Sequence, residues 1–296
     1  MDREFLRRCA RLVYLPGLML AALLPVSAAL AGSASNSAAP AALPAAPTAL
    51  PAAPSGPHYL LPSQVDIVAL LPPPPAADSP AQRADLQAVL DAQRAARADG
   101  SVAHAVADAE PSCGRFSDVL GDVLAPKSNA RLLAFLNQAA RDGASISGPA
   151  KQYWKRTRPY AYSGEVEALA DMSAGRKAAP GMDSDKAADA LAHSSYPSGH
   201  ATFGTVCAIL LADMVPEKRE ALFARGRDYA HSRLIVGAHF PTDLEAGRIA
   251  GTVAAALLLQ NASFRRDLAE ARTTLRSALG LTAEVPDLAP DGAYKE

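Results

Sequence analysis

The chain has 296 residues, 49% of them apolar and only 5% aromatic, and its charged side chains balance to a formal −1. That length supplies one large domain or two modest ones with a sizeable core, and the near-zero charge removes the electrostatic case for nucleic acid as a main partner. Alanine dominates, which favours closely packed helices over sheets, because Ala is the best helix former while strands prefer β-branched and aromatic residues. The expected fold class is all-α, a single-domain helical bundle with buried central helices.

Arg3, Arg7, Arg8 and Arg11 precede the apolar run LVYLPGLMLAALLPVSAALA, which ends in the small-x-small triplet Ala29-Leu30-Ala31. Residues 1–31 therefore read as an export signal cleaved after Ala31, which makes the protein periplasmic or secreted. The rival is an uncleaved anchor, since the run is about long enough to span a bilayer; Pro16, Pro25 and the small residues at its end argue against it. Removing four Arg with Asp2 and Glu4 from 29 basic and 30 acidic residues leaves 25 and 28, a net −3. No membrane contact is expected after cleavage. Residues 32–57 are Ala/Pro/Ser-rich without amphipathic period and read as a flexible or polyproline-like segment. The folded domain is expected over 58–296, with LLPPPP at 70–75 a stiff extended stretch on its surface.

Helical signals then follow one another. Ser79-Pro80 opens a helix that closes at Gly100. Further helices are expected at 115–124, at 127–143 after Pro126, at 147–157, and at about 198–215, 216–235, 241–260 and 262–279, with a polar loop over 173–196. No alternating run bounded by hairpin turns occurs, and no internal repeat. The most apolar stretches, near 201–215 and 244–260, are short or interrupted by Asp213, Glu245 and Arg248, and fit buried helices better than membrane spans. Cys113 and Cys207 remain after signal loss; they pair in an oxidising compartment, or Cys207 stays a buried thiol. No Cys/His spacing resembles a zinc site, and no metal or cofactor is expected.

Three stretches carry chemistry. In SSYPSGHATF, Ser198 stands as an N-cap after Pro197, with Gly199 and His200 at the mouth of an apolar helix. In KQYWKRTRP, Lys151 and Arg158 are seven residues apart, two helical turns, so that one helical face ends in two cations; Lys155 and Arg156 read as a solvated stripe. In SRLIVGAHFPTD, Arg233 precedes His239, Gly237 allows a bend, and Pro241 opens a helix whose first turn holds Asp243. Asp243 is then near enough to hold the His239 Nδ1 proton, leaving Nε2 a lone pair for nucleophilic or base chemistry. Three cations, a helix N-terminus and two His suit a phosphate monoester, whose equatorial oxygens need positive charge and N–H donors. Arg158 and Arg233 suit bidentate contacts, and Lys151 is a point charge.

Lys151-x6-Arg158-Pro159, Pro197-Ser198-Gly199-His200 and Ser232-Arg233-x5-His239-x3-Asp243 together match the three-part signature of the type 2 phosphatidic acid phosphatase superfamily, which includes the vanadium haloperoxidases. Within it the chain most resembles the bacterial class A non-specific acid phosphatases, over roughly residues 58–280. The resemblance implies attack on phosphorus by His239, oriented by Asp243; proton transfer by His200; and phosphate binding by Lys151, Arg158, Ser198, Gly199 and Arg233, without metal. It further implies broad phosphomonoester hydrolysis, phosphoryl transfer to alcohols, homo-oligomers and small-molecule substrates only. Two other functions share these residues: a vanadate-dependent haloperoxidase and a non-catalytic phosphate-binding protein. Asp183-Ser184-Asp185 lacks the apolar strand an aspartyl-phosphate enzyme needs. His58, His104, His193 and His231 read as surface or loop residues, and Trp154 and Tyr160 as packing.

Overall fold

A computed structural model of the chain describes residues 59–172 and 183–285. The expected export signal at 1–31 and the segment at 32–57, like His58, lie outside them. Every regular element among the described residues is helical, as the composition predicts. The α-helices are α1 (Ile67–Leu70), α2 (Pro80–Asp99), α3 (Val102–Ala107), α4 (Ser117–Leu120), α5 (Ala130–Ser145), α6 (Ser147–Trp154), α7 (Pro159–Tyr162), α8 (Ser184–Ala192), α9 (Gly199–Met214), α10 (Arg219–Ile235), α11 (Pro241–Gln260) and α12 (Ala262–Ala278).

Local signals account for most boundaries. The Ser79 hydroxyl accepts from the Gln82 amide at 3.1 Å, Pro80 takes the first helical position, and Gly100 closes α2 in the left-handed region at φ 80°. Asn261 caps α12 by accepting from the amides of Ser263 and Phe264. Three expectations need correction. The helix expected at 115–124 is only the short α4 between 3-10 turns, because Gly121 at φ 72° interrupts it. The helix expected to reach 157 stops at Trp154. The loop expected over 173–196 contains α8, where the Asp183 cap and the alanine-rich DKAADALA outweigh the polarity that suggested a loop.

Around α9 the core is assembled. Phe203, Val206, Leu210, Leu211 and Met214 of α9 are buried among apolar side chains of α5, α10, α11 and α12. No helix among the described residues is long and apolar enough to cross a membrane. The approach of α11 to α9 depends on glycine. A Cβ on Gly247 would stand 2.5 Å from the Ser198 carbonyl oxygen and 2.8 Å from Ala201 Cβ, so only hydrogen fits there. One turn earlier, the Ser198 amide donates to the Asp243 carbonyl at 2.9 Å. Close helix packing thus brings two of the three chemistry-bearing stretches into register.

Cys113 and Cys207 form a disulfide between residues 94 apart in sequence, both fully buried, which decides the alternative left open above. It ties the turn before α4 to the middle of α9. Closing a loop of that length restricts the unfolded chain strongly. Replacing both cysteines with serine is expected to cost about 2–5 kcal/mol, read as a lower midpoint in chemical denaturation; an unchanged midpoint would show that the bond adds no stability.

Candidate active site

The first stretch is shaped by a helix that ends early. Lys155 leaves α6 at φ 46°, and Pro159 forces Arg158 into extended backbone at φ −75°, ψ 153°. Residues 156–158 then run beside 192–195: the Ser195 amide donates to the Arg156 carbonyl at 2.9 Å, and the Arg158 amide to the Ala192 carbonyl at 2.8 Å. Lys151 and Arg158 therefore do not share a helical face as expected: α6 ends between them, and tertiary pairing brings them together. In extended backbone residues i and i+2 share a side. Arg156 and Arg158 both turn inward, and Arg156 is buried, contrary to the solvated stripe expected of it.

Carbonyls of the loop before α9 hold both cations, and Arg158 is held as well by carbonyls at the end of α8 and before α11. Lys151 Nζ donates to Ser194 O at 2.8 Å and to Pro197 O. Arg158 donates through Nε to Leu191 O (2.8 Å), through Nη1 to Ala238 O (2.9 Å) and through Nη2 to Ser194 O (3.1 Å). Its Nη1 also lies 3.1 Å from His239 Nε2. A guanidinium only donates, so Nε2 accepts and the ring proton sits on Nδ1. That tautomer puts the lone pair on the side of the cations.

Gly237 adopts φ 74°, and a Cβ there would meet the Glu167 carbonyl at 2.3 Å. The turn it permits lets the amides of Ala238 and His239 fold back onto the Arg233 carbonyl. His239 is 1% exposed and Asp243 fully buried. Asp243 Oδ2 accepts from the Phe240 amide (2.8 Å) and the Ser195 hydroxyl (2.6 Å), and stands 3.5 Å from His239 Nδ1. That separation exceeds an ordinary N–H···O bond, so the Asp–His contact here is electrostatic; such bonds often tighten when substrate binds. Burial holds the His239 pKa well below the usual imidazole value, reinforced by the charges of Arg158, Lys151, Arg233 and His200. Groups from three separate stretches thus lie near one ring: Lys151 and Arg158 from the first, His200 from the second and Arg233 from the third.

Ser198 caps α9 by accepting from the Ala201 amide at 3.2 Å, as its position predicts. Its own amide is taken by Asp243, so the helix-mouth donors are better ascribed to Gly199 and His200, the first two helical positions, which have no intrahelical acceptor. The Cβ position of Gly199 lies 4.0 Å from Lys151 Cε. His200 Nε2 contacts the Ala109 carbonyl at 2.9 Å. A carbonyl only accepts, which places a proton on Nε2, so any further proton exchange by the ring goes through Nδ1. Behind it, buried Asp108 accepts from Arg225 (2.6 and 3.1 Å), Arg115 (2.9 Å) and the Ser232 hydroxyl (2.9 Å). Asp108 thereby fixes the segment that orients His200. His104 and Asp228 approach the same carboxylate, but two guanidiniums already occupy it, a setting unsuited to a cation.

All eight expected site residues thus belong to one neighbourhood. His193 closes α8 and lines a cavity of about 510 Å³ beside Lys151, together with Gln152, Lys155 and Asp189. Trp154 packs edge-on against Tyr196 at 4.9 Å. Sequence reasoning missed Arg156, Ser195, Asp108 and the α2 residues Gln82 and Asp85. One signal was present: Gln82 and Asp85 share the buried face of α2 with Val89, Ala92, Gln93 and Ala96, and polar residues at core-facing positions ask for buried partners.

A match to the PAP2 superfamily spans residues 132–267. The non-specific acid phosphatase of Salmonella typhimurium is 32% identical over 72% of this chain and 82% of its own length. That of Providencia stuartii is 30% identical over 73% and 83%, and the acid phosphatase of Zymomonas mobilis 29% over 75% and 80%. The chain belongs to the PAP2 superfamily. Within it the chain is one of the class A non-specific acid phosphatases, which are phosphoric monoester hydrolases.

Proposed function

We propose that the chain hydrolyses phosphomonoesters in two displacements through a phosphohistidine at His239, with broad specificity and without metal. In the first, the Nε2 lone pair of His239 attacks phosphorus, the bond to the leaving oxygen breaks, and that oxygen takes a proton from His200 Nδ1. In the second, His200 Nδ1 takes a proton from water, the water oxygen attacks phosphorus, the P–N bond breaks and Nε2 regains its lone pair. Lys151, Arg158, Arg233, the Ser198 hydroxyl and the amides of Gly199 and His200 hold the three equatorial oxygens, supplying charge that Mg²⁺ supplies elsewhere. An alcohol replacing water makes the second step phosphoryl transfer.

The observation that carries this reading is the buried imidazole of His239, its Nε2 3.1 Å from Arg158 Nη1 and its pKa lowered by burial and by the charges of Arg158, Lys151 and Arg233. A non-catalytic phosphate binder has no use for such a ring. Export to an oxidising compartment is supported by the residue pattern of 1–31 and by the buried disulfide. The test is phosphate release from a panel of nucleotide, sugar and aryl phosphates at several pH values with EDTA present. Release from chemically unrelated esters, fastest on the acid side and indifferent to EDTA, is expected; loss of activity with EDTA, or turnover of a single ester, contradicts the proposal. Acid-labile, base-stable phosphoenzyme trapped by rapid quench tests the intermediate.

A further inference from the structure

We propose that Arg156, anchored by Asp85 of α2, is a positioning residue that aims the Asp243 carboxylate at His239. The proposal rests on the nucleophilic role of His239 given above. Arg156 Nη1 donates to Asp243 Oδ1 at 2.6 Å and to Thr242 Oγ1 at 2.7 Å, while Nη2 donates to Asp85 Oδ2 at 2.7 Å and Gln82 Oε1 at 2.5 Å. The Thr242 hydroxyl donates in turn to Asp85 Oδ2. The guanidinium carbon lies 4.3 Å from the centre of the Phe240 ring. The side chains of Arg156, Asp85 and Asp243 are 7%, 6% and 0% exposed.

The geometry assigns each Asp243 oxygen one task. Oδ1 belongs to Arg156. With that oxygen pinned, the carboxylate cannot rotate, and Oδ2 is presented to Ser195, the Phe240 amide and His239 Nδ1. Among the described residues buried Nδ1 makes no ordinary hydrogen bond, and Oδ2 is the carboxylate oxygen beside it at 3.5 Å, so its orientation depends on Oδ2. Charge follows the same chain. One guanidinium between two carboxylates leaves a net −1 beside an imidazole that becomes cationic as phosphorus bonds to Nε2. Without Arg156, Asp85 and Asp243 are two buried anions with no cation between them. Asp85 and Gln82 lie outside the segment matched to the superfamily, so α2 is a part of the catalytic apparatus that this segment alone does not contain.

The test compares steady-state kinetics and inhibition by inorganic phosphate for the full-length protein and its Arg156→Met, Arg156→Lys, Asp243→Asn and Arg156→Met/Asp243→Asn variants. Arg156→Met is expected to lower kcat about 10–100-fold, the usual effect of losing the group that orients a reactive His or its partner. KM and the phosphate inhibition constant should stay within about threefold, because the groups that hold the anion are untouched. Arg156→Lys, which restores one charge without the fork, should recover part of the loss. In the Asp243→Asn background the Arg156 replacement should change kcat by less than about threefold, since both act through one carboxylate. Full additivity in the double variant, or a raised KM with unchanged kcat, overturns the proposal. Should Arg156→Met fail to fold, Thr242→Val, which removes one arm of the cluster, provides the same comparison with Asp243→Asn. Absence of trapped phosphoenzyme in the unmodified protein would sink the phosphohistidine mechanism while leaving the Arg156–Asp243 coupling measurable.

Discussion

His239→Ala is expected to reduce kcat by at least about 10⁴-fold while the protein still binds inorganic phosphate. In the proposed mechanism the imidazole is the group that bonds to phosphorus, whereas Lys151, Arg158 and Arg233, which remain, supply the charge that holds the anion. The expected pH behaviour of the unmodified protein follows from the same ring. Burial, and then the charges of Arg158, Lys151, Arg233 and His200, hold the His239 pKa well below the ordinary imidazole value. A lowered pKa means that the proton is lost at lower pH than from an exposed histidine, so Nε2 keeps its lone pair further into the acid range. Nucleophilicity is thus preserved at pH values where an exposed histidine would be largely protonated. Calorimetric titration with phosphate and single-turnover kinetics separate the two effects. If His239→Ala turns over within tenfold of the unmodified rate, His239 is not the nucleophile; if it also loses phosphate affinity altogether, the division between anion holding and attack is wrong.

Arg225→Met is expected to destabilise the fold by about 3–5 kcal/mol, the range for removing one partner of a buried ion pair, or about 6–20 °C in Tm for a chain of this size. Asp108 is fully buried and takes two of its hydrogen bonds from Arg225. Burial by itself pushes the Asp108 pKa up, but the hydrogen bonds from Arg225 and Arg115 outweigh it and hold the carboxyl below its ordinary value. A carboxylate whose folded pKa is depressed contributes stability above its unfolded pKa, about 3.9, and loses it as pH falls through the folded value. The difference in Tm between the two proteins should therefore be largest near neutral pH and shrink as pH falls from about 4 through the lowered folded pKa, below which Asp108 is protonated in both. Thermal melts followed by circular dichroism across that range check the sign. A gap that is small at neutral pH, or that grows on acidification, refutes the ion-pair account. Asp108→Asn combined with Arg225→Met should recover part of the loss, since no charge is then left buried.

The helices were legible where their signals are local. Ser79-Pro80 with Gly100, Ser198 and Pro241 mark starts and stops through caps and fixed φ angles that act within one turn of chain, and the structure places α2, α9 and α11 there. The 3.6-residue periodicity was misleading for Lys151 and Arg158, because it assumed helix through a segment that Lys155 and Pro159 break. The polar loop hid α8 for the opposite reason: polarity reports exposure, and an exposed helix is polar too.

By itself the sequence determined which groups are candidates for the proposed chemistry and the local frames that hold them. It placed Ser198 at a helix mouth, His239 before a proline-started helix and Asp243 in its first turn, all consequences of backbone geometry within a few residues. The tertiary structure decided which distant groups meet them. Arg156 reaches Asp85 of α2 across 71 positions, and Asp108 reaches Arg225 and Ser232 across more than a hundred. Such contacts arise where buried charges find partners in the packed interior, because an unpaired charge costs more there than at any surface. That cost depends on how the helices pack, and the residues near each group in sequence do not reveal it.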